Sequence, residues 1–109
     1  MALQHAEPGQ PWNVGPLGDA LQDSQSSALF KSEQLEVIRL VMLSGKTLPR
    51  HKVPGAITIQ CIEGVLVVET QGGQRRLLAG QLLYLPGDEM HTVRAEQDSS
   101  ALPTIVLGD

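Results

Sequence analysis

From Phe30 onward the chain is a succession of short runs rich in Val, Ile and Leu, broken by Gly or Pro about every ten residues. This texture predicts an all-β sandwich or barrel. The runs occupy residues 36–43, 56–62, 65–70, 75–78, 81–85, 91–95 and 104–107, and nothing between them reads as a helix of useful length. Gly72-Gly73 lies between two runs and suits a tight hairpin turn, because glycine supplies the positive φ angles such turns need. Pro49 and Pro54 bracket His51 and lack backbone donors, so the strand carrying His51 is expected at an edge or broken by loops. Strand side chains alternate between faces, so Ile57, Ile59 and Cys61 share one side while Thr58, Gln60 and Ile62 share the other. Neither set is cleanly polar, which predicts a strand covered on both sides.

Residues 1–28 differ: they are rich in Pro, Gly, Gln, Asp and Ser and form an N-terminal arm. Trp12, Val14, Leu17 and Leu21 give the arm apolar anchors, and the stretch DALQD suits one helical turn. Residues 29–109 then form a single domain, and in 109 residues there is room for one core. Aromatics are 3% of the chain, so aliphatic side chains must fill that core. So small a domain leaves much surface uncovered, which favours self-association as a homodimer.

A formal charge of -4 provides no general attraction for phosphate backbones, so nucleic acid is not an expected partner. Arg75-Arg76 reads as the solvated start of a strand. The single cysteine excludes an intrachain disulfide. The first residues lack the pattern of a secretory signal, and no apolar run approaches the roughly 20 residues that span a bilayer. The expectation is a cytoplasmic protein with no membrane association.

Two histidines, His51 and His91, interrupt the aliphatic texture, and the residues around them follow a pattern. Gly45 is followed after five residues by His51, and the stretch runs through Val53 and Ile57 to Gly64. Gly80 is followed after five residues by Pro86, then Gly87, His91 and Ala95. In spacing these stretches resemble the paired motifs of the cupin superfamily, and the chain is similar to small single-domain, RmlC-like (cupin type 2) members. The resemblance spans roughly residues 30–108 and implies a double-stranded β-helix (jelly-roll) barrel. It also implies that His51 and His91 stand at two of the four positions that hold metal in metal-binding cupins. Val53 and Ile57 stand where that pattern has a second histidine and a glutamate.

A facial iron site needs about three protein ligands including a carboxylate, and structural zinc takes four. Glu63 shares the strand parity of Ile57, but six extended residues place it about 20 Å away. Asp88 and Glu89 precede His91 in a turn that can bend a carboxylate inward. A two-histidine site for Fe, Mn, Ni or Zn is expected to be weak.

The candidate ligand pocket comprises His51, Val53, Ile57, Gln60, Tyr84, Met90 and His91. The leading expectation is a barrel that binds a small, partly apolar ligand without tight metal. The alternative is an enzyme using His51 and His91, either metal-dependent and dioxygenase-like or a metal-free isomerase or epimerase, in which Tyr84 joins as acid or base. Cys61 reads as a buried small hydrophobe.

Overall fold

The computed structural model describes residues 6–108, so the first five residues of the arm and the last residue lie outside the description. Nine strands follow a short 3₁₀ helix, Gly18–Asp23. They are β1 (Ser27–Lys31), β2 (Leu35–Met42), β3 (Thr47–His51), β4 (Ile57–Glu63), β5 (Val65–Thr70), β6 (Gly73–Leu78), β7 (Leu82–Leu85), β8 (His91–Ala95) and β9 (Ser99–Val106). One sheet has the order β1-β2-β9-β4-β7, the other β3-β8-β5-β6. All ladders are antiparallel.

Register explains the core. Ile57 pairs with Leu85 on one side and Ile105 on the other, so these three share the inward face of the five-stranded sheet. In the facing sheet Leu66 pairs with Leu77 and Ala95, and Val68 with Val93. Ile59, Cys61, Leu66, Val68, Val93 and Ala101 are at most 2% exposed, so the two inward faces close on each other without water. Each such aliphatic side chain contributes roughly 1.5–3 kcal/mol of transfer free energy. Burial pushes the Cys61 thiol above its ordinary pKa, while the adjoining Glu63 carbonyl draws it down and the Glu63 charge adds to the rise. A thiol held protonated is a core filler, not a nucleophile.

The pattern extends further than the sequence predicts at both ends. β1 starts at Ser27, and β9 starts at Ser99, ahead of the expected 104. Ser99 and Ser100 look like loop residues, yet both are buried. Ser99 Oγ donates to the Val65 carbonyl at 3.2 Å and accepts from the Val65 N–H at 3.0 Å, so the hydroxyl is satisfied inside the sheet. The strand carrying His51 is indeed an edge strand, with a register shift between Leu48 and His51.

A bulge in β4 decides where Glu63 goes. Cys61 pairs with Ala101, but Glu63 pairs with Ser100, one step out of register. The extra residue reverses the alternation, so Glu63 leaves the inward face and meets the arm. Its carboxylate accepts the N–H groups of Leu17 (2.8 Å) and Gly18 (3.1 Å) and the hydroxyl of Ser100. Burial alone would raise the Glu63 carboxyl, but those three donors and the charge of Arg39 hold it below the ordinary carboxylate range. Arg39, 7% exposed, donates from Nη2 to the Gly15 carbonyl at 2.7 Å. Leu21, 3% exposed, completes the seat. The arm is thus fastened to its own barrel by side chains of β2, β4 and β9.

Candidate functional site

His51 ends β3 and His91 opens β8, and the two are partners across that ladder. Antiparallel partners project to the same side, so one register pair brings together residues 40 positions apart in the chain. The ring centroids are 4.3 Å apart, with the planes tilted by 56°. His91 is 2% exposed and His51 is half-buried.

Each imidazole is oriented by a carbonyl two residues earlier. His51 Nδ1 lies 2.9 Å from the Pro49 carbonyl oxygen, and His91 Nδ1 lies 3.0 Å from that of Glu89. A carbonyl oxygen only accepts, so both Nδ1 atoms carry the proton and donate it. In the neutral ring this leaves Nε2 with its lone pair. The proline that broke the strand pattern and the loop before His91 therefore act through their backbone oxygens.

The loop geometry keeps this arrangement. The Asp88 N–H donates to the Val53 carbonyl at 2.8 Å, tying the β7–β8 loop to the segment after His51. Asp88 adopts a φ of 64°, a left-handed turn conformation that Asp tolerates better than most residues. Gly87 lies against the Pro54 carbonyl, where a side-chain carbon would collide. Asp88 and Glu89 thus contribute backbone contacts here and bring no carboxylate to the histidines.

The remaining predicted residues divide into two groups. Ile57 is buried in the core, and Val53 and Ile105 pack against it. Met90 lies beside His91 on the rim of a recess of about 200 Å³, together with Arg50, Glu69 and Thr70. Gln60 and Tyr84 are a correction. Thr58 pairs with Tyr84 and Gln60 with Leu82, one residue out of phase with the inward Ile57–Leu85 pair, so all four face outward. Tyr84 is 63% exposed and Gln60 is exposed, and neither reaches the histidines. Arg50, Glu69 and Thr70 were not anticipated. Thr70 is the β5 partner of His91, a relation that appears once the strands are paired.

The donor set does not suit a tightly held metal. Among the described residues no group of three His, Cys, Asp or Glu side chains is placed to ligate one ion. The positions at which the cupin pattern has a second histidine and a glutamate hold Val53 and Ile57, which offer no donor atoms. The pair can accept two hydrogen bonds through Nε2, or donate them once protonated.

A family model described as the AraC-like ligand binding domain matches residues 36–107. Solved structures share the fold at low identity. A cupin superfamily protein from Desulfitobacterium hafniense superposes with a TM-score of 0.79 at 15% identity, covering 99% of this chain and 100% of that one. An RmlC-like cupin from Desulfovibrio desulfuricans gives 0.72 at 24% identity, covering 89% and 98%. The DMSP lyase DddQ from Ruegeria pomeroyi gives 0.68 at 21% identity, covering 88% of this chain and 53% of that one. No curated protein matches the sequence at a significant level. The family match spans well over half of the chain and covers β2 to β9: this protein has the cupin fold and belongs to the AraC-like ligand-binding domain family.

Proposed function

We propose that the chain binds a small, partly apolar molecule at the histidine rim of its barrel and holds no divalent metal tightly there. One observation carries this reading: the two imidazoles are adjacent, each is fixed by a carbonyl at Nδ1 with Nε2 left over, and His91 lines an open recess. Oriented polar atoms beside an apolar contact, here Met90 on the recess rim, are the usual composition of a small-molecule site. Val53 and Ile57 belong to the apolar core and offer no donor at two positions where the cupin pattern has ligands. The test is a titration with a panel of small polar-apolar metabolites, followed by the histidine ring proton signals in NMR. A ligand that shifts both rings in the native protein and binds at least tenfold more weakly to His51→Ala and His91→Ala supports the reading. Retention of one metal per chain after dialysis against Fe, Mn, Ni or Zn overturns its metal-free part.

The separation of 4.3 Å between the rings favours a second reading, in which one imidazole acts as general base and the other as general acid. The structural likeness to DddQ, a lyase, shows that this fold hosts enzymes as well as binders. Normal turnover of every accepted substrate by both alanine variants removes this reading.

A homodimer in the cytoplasm completes the proposal. Trp12, Phe30, Val106 and Leu107 are between 36% and 44% exposed, apolar area that a second copy would cover. Light scattering that reports a monomer at micromolar concentration refutes the dimer. Among the described residues no helix is long and apolar enough to cross a membrane.

A further inference from the structure

β6 ends the four-stranded sheet and β7 ends the five-stranded one, so the barrel has a seam where two edge strands face each other without pairing. A groove of about 570 Å³ runs along that seam. Leu77, Leu83 and Leu85 line it from the two inward faces, and Leu82 and Tyr84 form an outer lip. At 64% and 63%, Leu82 and Tyr84 are the most exposed large apolar side chains among the described residues. Ladder alternation turns the N–H and C=O groups of Leu82 and Tyr84 away from β4, toward the seam, because Gln81 uses its carbonyl on Cys61.

The charge in this groove has one sign. Arg75 and Arg76 line it and no acidic residue does. Arg76 pairs with Glu96 at 3.1 Å on the outside of the sheet. Arg75 is different: it pairs with Val68 on the face that carries Leu77 and Leu66, so it stands on the inward side of β6. Its Nη1 donates to the carbonyl of its neighbour Gln74 at 3.0 Å, and no carboxylate among the described residues lies within ion-pair distance. Thr70 lines both this groove and the histidine recess, so the two openings adjoin.

We infer that the β6–β7 groove binds small amphipathic carboxylates, with the acid group on the Arg75 fork and the apolar chain along Leu77, Leu83 and Leu85. The inference goes beyond the rim reading: it adds a second, adjoining site with its own ligand class and anchor. Guanidinium geometry matches a carboxylate in a two-bond fork, which an ammonium cannot reproduce. A leucine-lined trough removes an alkyl chain from water at the same time.

Octanoate and 1-octanol are the probes, followed by amide NMR and calorimetry on the full chain. Octanoate should shift the amides of Arg75 and Leu82–Leu85 and bind about tenfold more tightly than octanol, the margin of a charge-assisted fork. Arg75→Gln should abolish that margin with an unchanged circular dichroism spectrum, and Arg75→Lys should restore part of it. Equal binding of the two probes to the native protein, or an octanoate margin that survives in Arg75→Gln, overturns the inference. His91→Ala separates the two proposals. If it keeps full octanoate affinity, the groove stands as a site of its own. If octanoate does not bind while the metabolite panel still shifts the histidine rings, the groove inference fails and the rim reading stands.

Discussion

The body of the molecule is aliphatic, and it holds polar side chains in two contrasting places. At Glu63 nearly every polar atom is spent: the carboxylate takes three donors, and Arg39 Nη2 donates to the Gly15 carbonyl, leaving Arg39 Nη1 buried without a partner among the described residues. At the histidine rim each ring spends Nδ1 on a carbonyl and keeps Nε2 in hand. Polar groups with all their capacity committed fasten one part of a fold to another. Groups fixed on one side and free on the other are prepared for something that comes and goes.

That contrast can be broken most forcefully by restoring donors at the rim. The double change Val53→His with Ile57→Glu should make the rim keep about one Ni or Zn per chain through dialysis, since it supplies four ligand groups. Elemental analysis reads the outcome, and a double variant that binds no metal means that the rim geometry cannot converge on one ion. The apo form should be less stable than the native protein, because a carboxylate then replaces a buried Ile57.

The fastening end is tested by Glu63→Ala. It strips the arm of its acceptor and leaves Arg39 without a counter-charge, so urea denaturation should show a loss of about 2–3 kcal/mol. His51→Ala should cost within about 1 kcal/mol in the same assay, yet lose the ligand. Equal destabilisation by the two changes would erase the distinction drawn here.

Acid separates the two places as well. The folded-state pKa of Glu63 lies below its unfolded value, so its contribution is complete above the unfolded pKa of about 4.3 and fades as pH falls through the folded value. Asp98 behaves in the same direction, through the Ser44 N–H and the Gln22 amide that ties it to the arm. The urea midpoint of the native protein should therefore drop on the acid side of pH 4.3. Glu63→Gln should start lower at neutral pH and show a flatter acid limb. The smallest effect belongs to Gln60→Ala, an outward-facing exposed position, where stability should stay within about 0.5 kcal/mol and ligand binding should not move.

Much of this architecture is legible in residue order because strands write their faces in a period of two. Ile57, Ile59 and Cys61 announce the inward side of β4, Gly72-Gly73 the β5–β6 turn, and Pro49 and Pro54 the edge position of β3. The same parity already sets Gln60 opposite Ile57, and assigning it to the pocket required reading both faces of β4 as enclosed. What stays hidden is long-range. Ser99 and Ser100 look like a loop until Val65 and Glu63 are placed against them. Nothing near Arg39 in the chain indicates that Gly15 will cover it. The histidines were recognisable as a pair through motif spacing, but the carbonyls that fix their tautomer follow from the backbone path alone.

The one-step shift between Cys61 and Glu63 has a consequence for how this chain tolerates change of length. Deleting Ile62 would leave Glu63 opposite Ser100 and still outward, whereas deleting a residue between Ile57 and Cys61, where alternation is strict, would turn core side chains outward. The hairpin at Gln71-Gly72, by contrast, joins two strands at the surface and can absorb an added residue without exchanging the faces of either. Length changes within Ile57–Cys61 therefore act on the core, and those at the bulge or at the β5–β6 turn act as changes of contour.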